Sequence, residues 1–219
     1  MKYYKYKMQM GVLNVLAFII MIIAIVFYYL FFHDYDISGM FIIYFILWMF
    51  LHEIIHGISF MLFKEVNAKN VTYGAKLESG IFYCMCKQPI SKKVILVSLL
   101  APFVLIGMVT LIIAIVFDLK TLGLLSLFNI SGAAGDIVMT IMFLRLPKNV
   151  KYADLDDCES FVVLSDDDLS NRKYLGLKLI EYGDYNAKIV PNDFKRIRCS
   201  KISVICLLII LGIFIISLF

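Results

Sequence analysis

His52-Glu53-Ile54-Ile55-His56 carries the clearest chemistry in the chain. Imidazoles four residues apart lie on one face of a helix, about 5.4 Å from each other along its axis, close enough to share one metal ion. This is the H-E-x-x-H arrangement in which both histidines bind Zn2+ and the glutamate handles the proton of the attacking water. Five residues with two free positions also match by chance, so the surroundings decide the weight of the pattern. It sits inside the apolar run 37–63, where an ionisable side chain costs about 2.5 to 3.5 kcal/mol on insertion scales and usually faces a protein interior or a wet cavity. Well away from the ends of the apolar runs, the ionisable residues are His52, Glu53, His56 and Asp136. All four belong to one metal-site vocabulary; a polar packing seam is the plain alternative.

The elements that must position them are membrane helices. With 62% hydrophobic and 17% charged residues over 219 positions, and a mean hydropathy of +0.88, the chain is too apolar for an ordinary soluble domain. Five runs are long enough to span a hydrocarbon core of about 30 Å: 8–32, 37–63, 94–117, 122–144 and 202–219. Twenty of the 21 Lys and Arg residues fall in the segments 1–7, 64–93 and 145–201, and Lys120 alone lies on the other side. The positive-inside rule therefore places the N-terminus and the large polar segment in the cytoplasm and the C-terminus outside, in a multi-pass cell membrane protein. The basic residues are explained by topology and give no support for nucleic-acid binding.

Asp136 belongs with the histidines by depth. It lies nine residues from Arg145, roughly 13 to 14 Å along a helix, while His52 and His56 lie about 12 to 18 Å from the same membrane face. Spans two and four run in the same direction, so their ligands match in level. Asn129 is seven residues before Asp136 and falls on nearly the same face, with Gly132, Ala133 and Thr140, a set of small residues that lets another helix approach. A carboxylate bonded within a packing seam is the alternative for Asp136.

The remaining stretches carry less. Residues 1–7 read as a short basic lead to a retained signal-anchor, whose span has Asn14 as its one strongly polar group. His33 and the aspartates after it form a solvated turn. Runs 71–77 and 81–86, separated by Glu78-Ser79-Gly80, predict a β-hairpin whose edge could pair with an extended substrate; a hairpin lying on the membrane surface is the equal alternative. Residues 159–164 and 187–190 read as strands, and 166–182 as a capped helix or a second hairpin. The aspartates at 154, 156, 157 and 166–168 lack calcium-loop spacing and suit solvated loops or a cap. Five cysteines, at 84, 86, 158, 199 and 206, form no framework and are expected to be reduced.

This order of parts resembles the three-helix core of site-2-protease-like intramembrane metallopeptidases. More closely, it is similar to a family of small bacterial zincin peptidase-like proteins catalogued as a domain of unknown function, through His-Glu-Ile-Ile-His-Gly, Ala101-Pro102-Phe103 and Gly135-Asp136. The similarity covers residues 37–146. It implies that His52, His56 and Asp136 are zinc ligands and that Glu53 is the catalytic acid/base. Site-2 proteases usually have prolines between the Asn and Asp of their second signature and a Gly after the Asp; here Ile-Ser-Gly-Ala-Ala-Gly intervenes and Ile137 follows, which bears on Asn129 more than on Asp136.

The sequence thus predicts an all-α polytopic membrane protein of about five transmembrane helices, with a small β-hairpin after the motif helix and a small α+β cytosolic segment. Its parts are 1–36 (first helix and external turn), 37–148 (metallopeptidase-like core), 149–200 (cytosolic segment) and 201–219 (last helix). The expected activity is zinc-dependent endoproteolysis of membrane-spanning or membrane-associated proteins, Glu53 moving the proton and Asn129 holding either substrate or Asp136. A non-catalytic metal-binding scaffold and, for His, Glu and Asp near mid-membrane, a metal or proton transporter are the competing readings. Transporters generally show related halves, and no repeat is visible.

Overall fold

The computed structural model describes residues 1–33, 39–76 and 81–185. In chain order these form β1 (Lys2–Met8), α1 (Met10–Phe32), α2 (Phe41–Met61), β2 (Val71–Lys76), β3 (Ile81–Cys86) and β4 (Ile90–Ser91). There follow α3 (Lys92–Val116), α4 (Lys120–Gly132), α5 (Ala134–Arg145), β5 (Lys151–Asp154), β6 (Ser160–Ser165) and β7 (Leu177–Asp184). The expected span 202–219, the strand 187–190, the aspartates of the 33–36 turn and the Glu78-Ser79-Gly80 turn fall outside the described residues.

The architecture is mixed α and β, which corrects the expectation of an all-α protein with a minor β component. Five antiparallel strands form one sheet in the order β4-β5-β6-β1-β7. The segment expected to be a basic lead is one of its inner strands, β1, paired between β6 and β7. Side chains alternate along a strand, so Tyr4 and Tyr6 share one face and are buried, while Lys5 and Lys7 take the other. Short strands drawn from residues 2–8, 90–91 and 151–184 pair only once the chain has folded, so no single window of sequence announces the sheet. Residues 159–164 do form a strand, β6. The 166–182 stretch is a loop followed by β7 and not a helix. Asp157 and Asp168 accept backbone N–H groups in turns, as expected for solvated loop aspartates.

Three helices, α1, α2 and α3, are long and apolar enough to cross a membrane, and α4 with α5 makes a fourth such unit bent by 49°. At 1.5 Å per residue the 23 residues of α1 reach about 34 Å, and its Val15, Phe18, Ile22, Ile23 and Val26 are exposed. The bend falls at Ala133, whose backbone leaves the helical region (φ −74°, ψ 13°) between two glycines, Gly132 and Gly135, that weaken a helix. α1 and α3 begin, and α2 and α5 end, next to strands of the sheet or the hairpin. The sheet therefore caps one end of the bundle. Its underside packs on helix ends through Tyr6, Phe161, Phe143, Met142 and Val94, while Tyr28, Trp48 and Leu125 fill a second cluster. α2 contributes Trp48 to the second cluster and Phe60 to the first, so the motif between them lies where the two cores meet.

Candidate metal centre

His52 and His56 project from α2 toward α5, and one carboxylate meets both. Asp136 Oδ2 lies 3.1 Å from His52 Nε2 and 3.5 Å from His56 Nε2, and the two Nε2 atoms are 3.0 Å apart. The expected depth match is thus realised in the fold. The expected shared helical face is not, because the chain bends between Asn129 and Asp136; both nevertheless reach His52.

The orientation of each imidazole traces to one residue, Pro102. Proline has no N–H and cannot donate to the carbonyl four residues back. That carbonyl belongs to Ser98, and it accepts the Nδ1–H of His56 at 2.8 Å. Past the proline, Phe103–Val109 widens into a π turn, a device common at functional sites. The carbonyl of Pro102 accepts from Asn129 Nδ2 at 3.2 Å. This fixes the Asn129 amide, so its Oδ1 is the acceptor toward His52 Nδ1 at 2.8 Å. Gly107 permits the close approach, since a Cβ there would lie 3.0 Å from Ile130 and 3.3 Å from Asn129 Nδ2.

With both Nδ1 atoms committed as donors, both neutral imidazoles present bare Nε2 lone pairs, and these converge with a carboxylate oxygen. Two Nε2 atoms and a carboxylate oxygen within 4.8 Å of one another are a donor set that suits a bound cation. Ligands about 2.0 to 2.1 Å from a tetrahedral zinc stand roughly 3.3 Å apart. The three separations bracket that value, so His52, His56 and Asp136 fit Zn2+. Nδ1 partners that fix the tautomer of a metal-binding histidine are the usual support for such a site. Sequence reasoning found the three convergent residues and noted Pro102, but missed Ser98 and the part the two play in orienting the imidazoles. A proline four residues after a serine in an apolar run was the available signal.

Glu53 lies beside the triad and meets the backbone of Cys84 on β3. The hairpin is seated on α2 at Gly57, where a Cβ would stand 1.8 Å from the Tyr73 hydroxyl oxygen, and Phe50 packs on Phe82 with ring centroids 4.6 Å apart. A cavity of about 250 Å3 opens over the triad, floored by Glu53 and Asp136, walled by Phe82 and Cys84, and roofed by Tyr152 and Asp154 of the sheet. Gly132 and Gly135 border it with space for a Cβ, so these small residues leave room in the cavity instead of seating another helix. Burial raises the thiol of Cys86 to about 12 and holds that of Cys84 well above the ordinary range, where the Glu53 charge adds to the effect. Neither is a ready nucleophile.

Helices of membrane-crossing length that bring an H-E-x-x-H pair and a carboxylate together fit a zinc metallopeptidase of the zincin type. Residues 45–151 match the family described as "Putative zincin peptidase", and the matched stretch contains all three convergent residues and Glu53. No curated protein and no solved structure matches the chain.

Proposed function

We propose that the protein is an intramembrane endopeptidase that cuts membrane-spanning or membrane-associated proteins near the cytoplasmic face of the cell membrane. The observation that carries this reading is the convergence of His52, His56 and Asp136 beneath a cavity bounded by both membrane helices and the sheet. The clustering of twenty of the 21 basic residues in the sequence segments 1–7, 64–93 and 145–201, which carry the strands of the sheet and the hairpin, supports a cytoplasmic location for both. In this reading His52, His56 and Asp136 hold zinc, and Glu53 is the acid/base.

Bound zinc supplies Lewis acidity toward the scissile carbonyl and a nucleophile at neutral pH. The remaining work belongs to the chain. Glu53 takes the proton of the attacking water and passes it to the amide nitrogen as the C–N bond breaks, leaving a new carboxylate and a new amine. Asn129 spends both ends of its amide on His52 and Pro102; its part is to orient a ligand. The outer edge of β3 supplies a binding surface. Val71 faces Cys86, and Cys86 N–H points away from β2 to Asp154. Antiparallel pairs alternate in direction, so Cys84 and Phe82 also turn their backbone groups outward, toward the cavity they line. An unwound substrate strand adding there is held by main-chain hydrogen bonds, beside Glu53.

Glu53→Gln tests the mechanism. In proteoliposomes containing a membrane-spanning reporter, the wild type is expected to cleave, and the variant to retain one zinc per chain while losing cleavage by at least about 100-fold. A Glu53→Gln protein that cleaves at the wild-type rate removes Glu53 from the chemistry. Zinc flux into the same vesicles without cleavage replaces the peptidase with a transporter.

A further inference from the structure

The roof of the cavity is not passive. Asp154, at the end of β5, accepts the backbone N–H of Cys86 at 2.7 Å and the hydroxyl hydrogen of Tyr152. Two more links bind the same turn to the same strand or its end: Asp156 pairs with Lys87, and Cys158 is hydrogen-bonded to Tyr83. The turn 154–158 thus grips β3 from Tyr83 to its end, and both Asp154 and Cys158 border the cavity. The outward N–H groups of β3 differ accordingly. That of Cys84 meets Glu53, whose carboxylate is also needed for proton transfer and must be free to turn away. That of Cys86 is held by a carboxylate with no part in the chemistry.

We propose that Asp154 is a positioning residue that ends the substrate slot: by occupying the Cys86 N–H it stops an incoming peptide strand at Cys84 and so fixes which peptide bond lies over Glu53. This deepens the peptidase reading and rests on it. A strand that pairs with Phe82 and Cys84 has one pleat of register on β3. Were the Cys86 N–H open, the strand could advance by two residues and keep the same side chains facing the same way, because strand periodicity is two. One carboxylate thereby sets the cut position, with no side-chain pocket required. The grip also explains why a cytosolic sheet is built onto a membrane enzyme: the turn that carries the stop is anchored by β5 and β6, whose Val162, Val163 and Leu164 are fully buried.

The test uses the full-length protein in lipid nanodiscs, with Asp154→Ala and Asp154→Asn. Asparagine keeps an oxygen for the Cys86 N–H; alanine does not. Two readouts are taken. The first is residue-resolved amide exchange without substrate: Cys86 is expected to exchange at least tenfold faster in Asp154→Ala, near wild-type rate in Asp154→Asn, while Met85 and Tyr83, paired to β2, stay protected in both. The second is mass-spectrometric mapping of cuts in one membrane-spanning reporter peptide. The wild type and Asp154→Asn are expected to share a cut position, and Asp154→Ala to add a cut displaced by two residues.

Unchanged Cys86 exchange in Asp154→Ala, or unchanged cut positions at equal zinc content, overturns the proposal and leaves the peptidase reading intact. If Asp154→Ala fails to fold, Asp154→Ser, whose side chain is too short to reach the same N–H, takes its place and is held to the same two outcomes. Wild-type protein that holds zinc but cuts no reporter sinks the peptidase reading, and the stop with it, whatever the exchange rates show.

Discussion

Gly57 lets the hairpin sit on the motif helix, and Gly57→Ala measures how tightly. The added Cβ would lie 1.8 Å from the Tyr73 hydroxyl oxygen and 2.4 Å from Cζ, where ordinary contact begins at 3.4 Å. Tyr73 must therefore recede by about 1.6 Å, judged against an ordinary van der Waals contact. The tyrosine stands on β2 opposite Cys84, so its retreat draws β3 away from Glu53. Overpacking of this kind costs about 1 to 3 kcal/mol, against roughly 1 kcal/mol gained when alanine replaces glycine inside a helix. Gly57→Ala is thus expected to lose up to about 2 kcal/mol in the native background and to gain about 1 kcal/mol when Tyr73 is already alanine, a coupling of about 1 to 3 kcal/mol. The assay is a double-mutant cycle by equilibrium unfolding in mixed micelles, with reporter cleavage measured beside it. Gly57→Ala that stabilises equally in both backgrounds would refute the seating of the hairpin on α2, and with it the placement of the β3 edge beside Glu53.

Three further outcomes follow from the same geometry. Pro102→Ala restores an N–H that competes with His56 for the Ser98 carbonyl, and Asn129→Ala releases His52; each is expected to weaken zinc binding by about 10- to 100-fold in chelator competition, and unchanged affinity in both would show that the Nδ1 partners do not matter. Burial raises the Asp154 carboxyl to about 6, against the lowering effect of the Tyr152 hydroxyl, the Cys86 N–H and the Lys87 charge. Its proton is therefore held more tightly in the folded state, so its ionisation weakens the fold as pH rises from about 4 through 6, by at most about 3 kcal/mol. Unfolding at pH 4.5 and pH 7 should show Asp154→Asn gaining on the wild type at the higher pH, and a gap that does not change with pH would contradict this. With their thiols raised by burial, Cys84 and Cys86 are expected to resist maleimide at pH 7 in native protein and to react after denaturation; rapid native labelling of both would mean that the hairpin is not packed.

The candidate site residues were legible because they break a rule. His52, Glu53, His56 and Asp136 are ionisable groups in apolar runs, where the cost of burial demands a reason, and distance to a helix end was enough to match their depth. What orients them was not legible, since a missing N–H at Pro102 shows its consequence only when Ser98 meets a ring from another helix. The sheet was hidden for a related reason. β1 alternates buried tyrosines with lysines, a strand pattern that its basic character and its place before an apolar run disguised, and its partners lie more than 150 residues away. The bend at Ala133 was present in sequence as Gly-Ala-Ala-Gly, but helix propensity alone does not say whether packing will straighten such a stretch. Asp154 looked like one of several solvated aspartates until the fold placed it on the Cys86 N–H.

The central claim is that three side chains from two helices hold one zinc. Elemental mass spectrometry of purified wild type, Glu53→Gln, His52→Ala, His56→Ala and Asp136→Ala tests it directly. One zinc per chain is expected in the first two and almost none in the last three. Asp136→Ala protein that keeps its full zinc, or wild type that never takes up the metal, would contradict it.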